Sequence, residues 1–340
     1  MSGTPRVIVA GAGVLGLCAA LELAWRGAAV TVCDPGGSTP PNASAVAAGM
    51  LAPVFEAVLD PEARPHLDLL LAARDLWPGF AQRAGVAVDR SGAIAVGGDA
   101  WLEQVAARFA GLGLRPTEIP ARTAEGLAPG LSSGFGRALL TREDWRVDAP
   151  GALAALRAAA QAAGVSFRSE AVRHAGEAEA LVVATGAGAG LAEAAPELAR
   201  LSPIKGQLVR FQAPAAGVSV RTEGAYAAPG AALAVGATME PGRGDTAIDP
   251  AEAARLAEAG RRLFPALAET PYQAAAGVRA ATADGLPLAG PSAAPGIWLA
   301  AGARRNGWLL APLVAATVAT MILGGEPGPH ARRLHPGRFG

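Results

Sequence analysis

A chain of 340 residues that is 51% apolar and only 17% charged has the composition of a globular protein of about two domains, which excludes a disordered tail. Its formal net charge is zero, and no basic cluster interleaves with aromatics, so the electrostatic footprint of a nucleic-acid binder is missing and a small-molecule partner is expected. Of its 29 basic residues only Lys205 is a lysine, so a surface arginine carries little information here.

The first predicted element is a strand, Arg6 to Ala10 ("RVIVA"), followed by "GAGVLG" and a helix from Leu15 to Arg26. A second strand, Ala29 to Cys33, ends in Asp34. Each residue type in this order suits a dinucleotide site. Gly11, Gly13 and Gly16 permit a tight turn, close approach of a pyrophosphate and close helix packing. The helix start offers free amides and partial positive charge to phosphates, and Asp34, 21 positions after Gly13, can accept hydrogen bonds from a ribose.

Pro35 to Ser44 is rich in turn formers, and residues 60 to 140 alternate short helical and strand patterns, among them a helix from Trp101 to Leu112. Asp148 and Pro150 predict an N-cap and first-turn proline for an alanine-rich helix through Ala163. Strands are expected around Val165 to Phe167, through Val172, and in the "ALVVATGAG" that begins at Ala180. From Pro203 to Ala237 the segments "PIKGQLVRF", "EGAYAAP" and "ALAVGATM" predict an antiparallel sheet, and a helix follows from Pro250 to Leu263. The longest apolar run, Trp308 to Leu323, has 16 residues and contains Pro312, short of the roughly 20 needed to span a bilayer; it reads as a buried helix. Cys18 and Cys33 match no disulfide or metal framework, no metal site is expected, and the N-terminus lacks the pattern of a signal peptide, which together imply a reducing cytoplasm.

Five further blocks accompany these elements: "ASAVAAGMLAP" at 43 to 53, "PIKGQ" at 203 to 207, "YAAPGAALAVGATMEPG" at 226 to 242, "AGVRAATADGLPLAG" at 276 to 290 and "RNGWLLAP" at 305 to 312. In this order they resemble the glycine oxidase branch, of thiamine-biosynthesis type, of the D-amino-acid oxidase family of flavoproteins, over essentially the whole chain. The resemblance implies an α/β (α+β overall) fold. A Rossmann-like FAD-binding domain would be assembled from residues 1–48, 146–201 and 271–340, with an antiparallel-sheet substrate domain inserted at 49–145 and 202–270.

It also implies non-covalent FAD. Gly11, Gly13, Val14, Leu15, Gly16 and Asp34 would hold adenosine and pyrophosphate, Val172 would touch adenine, and Ala43, Ser44, Ala48, Gly49 and Met50 would line phosphate and isoalloxazine. Ala303, Arg304, Arg305, Asn306, Gly307, Trp308 and Leu309 would wrap the pyrimidine edge, where the dipole of the helix that follows stabilises negative charge. Arg279 matches the arginine that pairs with a substrate carboxylate, Tyr226 the tyrosine that assists it, Arg305 a second arginine near the substrate, and Met239 a side chain near the reactive flavin face.

The implied reaction is oxidative deamination of glycine or a similar small amino acid, with dioxygen as acceptor, hydrogen peroxide as product and a thiazole synthase as pathway partner. Three departures alter the rim: Ala303 and Arg304 where the family has histidine and an aromatic, Gly230 where it has arginine, and Ala280 where it has proline. Arg304 either faces the site or turns to solvent. A sarcosine or D-amino-acid oxidase or dehydrogenase, and more remotely a flavoprotein module modifying tRNA, stay open, as do homo-oligomerisation and the preferred substrate.

Overall fold

The computed structural model describes residues 4–36, 42–174 and 176–340. Part of the turn-rich stretch expected from Pro35 to Ser44 lies outside them. Two large sheets organise the chain.

The first sheet has six strands in the order Leu288–Pro291, Ile297–Ala301, Ala180–Val183, Arg6–Ala10, Ala29–Cys33 and Ser166–Arg168. All neighbours are parallel except the edge hairpin of 288–291 with 297–301. Its central strands are near-continuous apolar runs, as expected where helices cover a sheet. The helix Val14–Trp25 packs against Gly307–Ile322, Ala149–Ala162 and strand Ala29–Cys33, and its apolar residues enter one core with those of Leu67–Ala84.

The helix Gly307–Ile322 carries Pro312, which has no N–H to offer the carbonyl of Trp308 four residues back. The buried indole Nε1 of Trp77 donates to that carbonyl instead, at 3.0 Å, so the helix continues through its proline without an orphaned acceptor. Among the described residues no helix is long and apolar enough to cross a membrane.

The second sheet has nine strands, largely antiparallel, running Glu240–Pro241, Ser202–Phe211, Leu233–Gly236, Ala225–Ala228, Ser219–Thr222, Ala93–Ala95, Arg137–Thr141 and Thr117–Pro120, with Tyr272–Ala281 paired to Ser202–Phe211 along its whole length. The sequence grouping puts residues from 271 onward with the nucleotide-binding segments. The structure places the first strand of that group, Tyr272–Ala281, in the larger sheet. That strand thereby ties the second sheet to the chain's return into the first.

Most expected elements stand within a residue or two of their predicted ends; Pro250–Leu263 matches, and Asp148 caps Ala149–Ala162 by accepting from Gly151 N at 2.9 Å. One does not. The strand expected through Val172 is irregular chain; among the described residues Ser166–Arg168 is the edge of the first sheet, and no strand lies beyond it to pair with that segment.

Lys205 stands in Ser202–Phe211 with no exposed surface. Its ammonium is 2.9 Å from Asp245 and 3.9 Å from Glu240, which supply the counter-charge that a fully buried cation requires.

Candidate active site

Two cavities meet at Ala43. The first, of about 270 Å³, is lined by Gly11, Gly13, Val14, Leu15, Asp34, Ala43 and Ser44, and also by Asn42, Ala184 to Ala187, Thr246 and Val278. Gly11 has φ +112°, and a Cβ there would collide with the carbonyl of Ala184, so only glycine lets the neighbouring strands close around this turn. Asp34 accepts from Ala12 N at 2.7 Å and Gly36 N at 2.9 Å, which fixes its carboxylate at the cavity wall. Ser44 Oγ accepts from Val14 N at 3.0 Å, and Ser44 O accepts from the Trp308 indole at 3.1 Å. Helix amides, small side chains and an oriented carboxylate in one elongated hollow fit the adenosine and pyrophosphate of a dinucleotide.

The second cavity, about 340 Å³, continues from Ala43 past Ala48, Gly49 and Met50 to Tyr226, Met239, Arg279, Arg305 and Trp308. A hairpin and a long strand place the polar groups. Ser219–Thr222 and Ala225–Ala228 pair so that Arg221 stands opposite Tyr226. Tyr272–Ala281 brings Arg279 in beside Gly206, where a Cβ would fall on the guanidinium. A Cβ at Gly236 would come within 2.8 Å of the Tyr226 hydroxyl. Two glycines thus clear the space in which two large polar side chains lie.

The electrostatics follow from that crowding. Arg279 Nη1 donates to Thr238 O at 3.3 Å and lies 3.4 Å from Met239 Sδ, and among the described residues it has no carboxylate partner. Burial draws its pKa down, opposed by Tyr226, while Arg305 pushes the same way as burial. Burial raises the Tyr226 hydroxyl above its ordinary value, although Arg279, Arg221 and Arg305 pull against the rise; it is a neutral donor at pH 7. Glu56 raises the pKa of Arg305, with Asp60 adding to it.

Not every residue singled out in the sequence joins these cavities. Gly16 packs beneath the turn, where a Cβ would strike the carbonyl of Gly11. Val172 lies outside the nucleotide cavity, in a separate hollow with Ile8, Thr31 and Cys33. Ala303 bridges to Ala281, Leu309 is buried in the core, Gly307 packs near Val14, and Asn306 precedes the helix start, accepting the backbone N–H of Leu310.

Arg304 takes neither of its two expected positions. With φ +50°, its side chain pairs with Asp60 and, at 3.0 Å, with Glu62, so it faces an acidic corner behind the site.

Among the lining residues that went unread in the sequence are two buried charged ones, Glu56 and Arg221. Glu56 is 7% exposed and Arg221 3% exposed. A two-residue Glu-Gly turn between Thr222 and Ala225 was a usable signal for Arg221, since it sets that arginine opposite Tyr226. The abundance of arginine hid it.

A sequence profile of the family described as FAD dependent oxidoreductase (DAO) matches residues 6–321. The chain is 30% identical to the glycine oxidase of Pseudomonas aeruginosa, over 95% of this chain and 96% of that one. It is also 30% identical to the bifunctional protein ThiO/ThiG of Trichormus variabilis, covering 99% of this chain and 55% of that one. The fold superposes on the crystal structure of glycine oxidase from Geobacillus kaustophilus with a TM-score of 0.83 and 27% identity, covering 98% of this chain and 99% of that one. With glycine turn, oriented aspartate and two joined cavities in place and a match across nearly its whole length, the chain belongs to the FAD dependent oxidoreductase (DAO) family.

Proposed function

We propose that the protein oxidises the amine of a small amino acid, glycine or a close analogue. The observation that carries the reading is Arg279, a guanidinium without a carboxylate partner among the described residues, set beside Tyr226 in the cavity that continues from the nucleotide site. Arg279 takes the substrate carboxylate through a charge-assisted pair, and Tyr226 donates to the same carboxylate. Held at that end, the substrate turns its alpha carbon and amine toward Gly49, Met50 and the Ala43 junction. When bound, FAD supplies the two-electron acceptor for the hydride of that carbon.

The amine reacts in its neutral form and loses hydride from carbon, a route that requires no protein base, in keeping with a cavity whose lining among the described residues holds no histidine. The start of helix Gly307–Ile322 and Arg305 favour the negative charge that gathers at that end of the site. Water then converts the imine to the 2-oxo acid and ammonia, and dioxygen is reduced to hydrogen peroxide, one equivalent of each per amine. The bifunctional ThiO/ThiG relative supports a place in thiamine biosynthesis, with a thiazole synthase drawing on the imine or its hydrolysis product.

The test is direct. Acid precipitation of the purified protein should release FAD, and glycine, sarcosine or a D-amino acid should yield peroxide. Arg279→Ala should raise KM on the order of 30-fold to 1,000-fold, because loss of a desolvated charge-assisted contact costs about 2 to 4 kcal/mol. A protein that takes up no flavin, or an Arg279→Ala enzyme with wild-type KM, would overturn the reading.

A further inference from the structure

We infer that the active-site cavity holds a second carboxylate-binding position, built on Arg221, and that the preferred substrates are amino acids bearing two carboxylates. The inference rests on the amine-oxidase reading of the same cavity and goes beyond it.

The charge inventory of the cavity points this way. Its lining carries Arg221, Arg279 and Arg305, with Arg108 at the exposed mouth, against one carboxylate, Glu56. Asp60 pairs with Arg305 from behind the lining at 3.4 Å and Asp144 acts on Arg221, so what a second carboxylate meets in the cavity is a surplus of guanidinium donors over lining acceptors.

The partners of Arg221 are correspondingly weak. It is 3% exposed, and its side chain's one hydrogen bond among the described residues runs from Nη2 to Glu56 Oε1 at 3.4 Å. That same oxygen also accepts from Arg305 Nη2 at 3.3 Å, so two guanidiniums share one acceptor at distances longer than a good charge-assisted bond. Among the described residues Arg221 Nε is buried with no partner, as is Glu56 Oε2. An orphaned donor on a buried cation is costly, and a guanidinium's planar fork matches a carboxylate better than any other small anion available on an amino acid.

Position fits the chemistry. Arg221 and Tyr226 are directly opposed across an antiparallel pair, and the Arg221 guanidinium carbon lies 5.5 Å from the centre of the Tyr226 ring. Tyr226 and Arg279 hold the first carboxylate, so a second one carried on the same small molecule reaches Arg221 next to it. The second group can sit on the alpha carbon's side chain, as in D-aspartate, or on the nitrogen, as in iminodiacetate.

Two measurements test this. In the first, the holoenzyme's flavin absorbance is titrated with malonate and with acetate. Malonate should bind at least about tenfold more tightly, since one added charge-assisted contact is worth on the order of tenfold to a hundredfold. Arg221→Gln should erase that advantage and Arg221→Lys should keep part of it. In the second, kcat/KM is compared for D-aspartate against D-asparagine, and for iminodiacetate against sarcosine. In one of these pairs the dicarboxylate should lead, which identifies where the second group sits, and Arg221→Gln should lower that ratio by about tenfold or more.

Equal binding of malonate and acetate to the wild type, or ratios that Arg221→Gln leaves unchanged, would overturn the inference while glycine turnover left the oxidase reading standing. Arg221-dependent malonate binding in a protein that oxidises no amine would sink the oxidase reading and leave the dicarboxylate position intact.

Discussion

Gly206 shows how much a single methyl group can decide. A Cβ at this position would fall on the Arg279 guanidinium, the free end of a flexible side chain and not a rigid backbone. Gly206→Ala should therefore fold with a Tm close to wild type yet push Arg279 out of line, raising KM for a carboxylate substrate by roughly tenfold, about 1.4 kcal/mol. Steady-state kinetics beside a thermal melt separate the two effects; a lower Tm with unchanged KM would refute the clearance role. This relation is invisible in sequence, because Gly206 and Arg279 meet only through the pairing of two long strands. Arg304 teaches the same lesson from the other side. Its neighbours in "GARRNG" suggested a site residue, whereas its partners, Asp60 and Glu62, lie more than two hundred positions earlier and were unreadable as such.

Among the elements, the short helix Pro53–Leu59 is held by Asp144, 1% exposed, whose two oxygens accept from Val54 N at 2.8 Å and Phe55 N at 3.0 Å. This helix presents Glu56 to the cavity, so its cap also positions a lining residue. Burial pushes the Asp144 pKa up to about 6, with Arg221 and the two amides pulling it down less strongly. The folded state thus binds this proton more tightly than the unfolded chain, whose aspartate titrates near 3.9, roughly. Stability from that source is full below about pH 4 and declines as pH rises to about 6. Asp144→Asn does not titrate, so it should gain on the wild type by up to about 3 kcal/mol between pH 4 and pH 7. Urea unfolding at several pH values checks this, and a flat difference would refute it. The cap at Asp148 was legible because it bonds the amide three residues ahead, and Asp249 caps Pro250–Leu263 in the same local way. The cap from Asp144 spans about ninety residues and carries no local signature.

At the scale of the whole molecule, the first sheet was readable because strand, glycine turn, helix, strand and acid follow one another in sequence and in space. The second sheet was readable as antiparallel but not in its pairing, since its members come from residues 93 to 281 and Ala93–Ala95 joins Ser219–Thr222 in parallel. The substrate cavity was half legible for the same reason. Residues inside matching blocks could be named, while Glu56 and Arg221 arrive from outside them. Lys205 belongs to that second sheet, and it is the only lysine in the chain. Because its side chain is sealed beneath Glu240 and Asp245, the native protein presents no ε-amine to an acylating reagent. Acetylation at Lys205, followed by mass spectrometry, should be negligible under native conditions and prompt in urea. Its slow appearance at intermediate conditions then times the opening of one named place in the sheet, and equal labelling with and without urea would show that the place is not closed. A molecule with a single hidden ε-amine thus carries its own clock for the opening of that sheet.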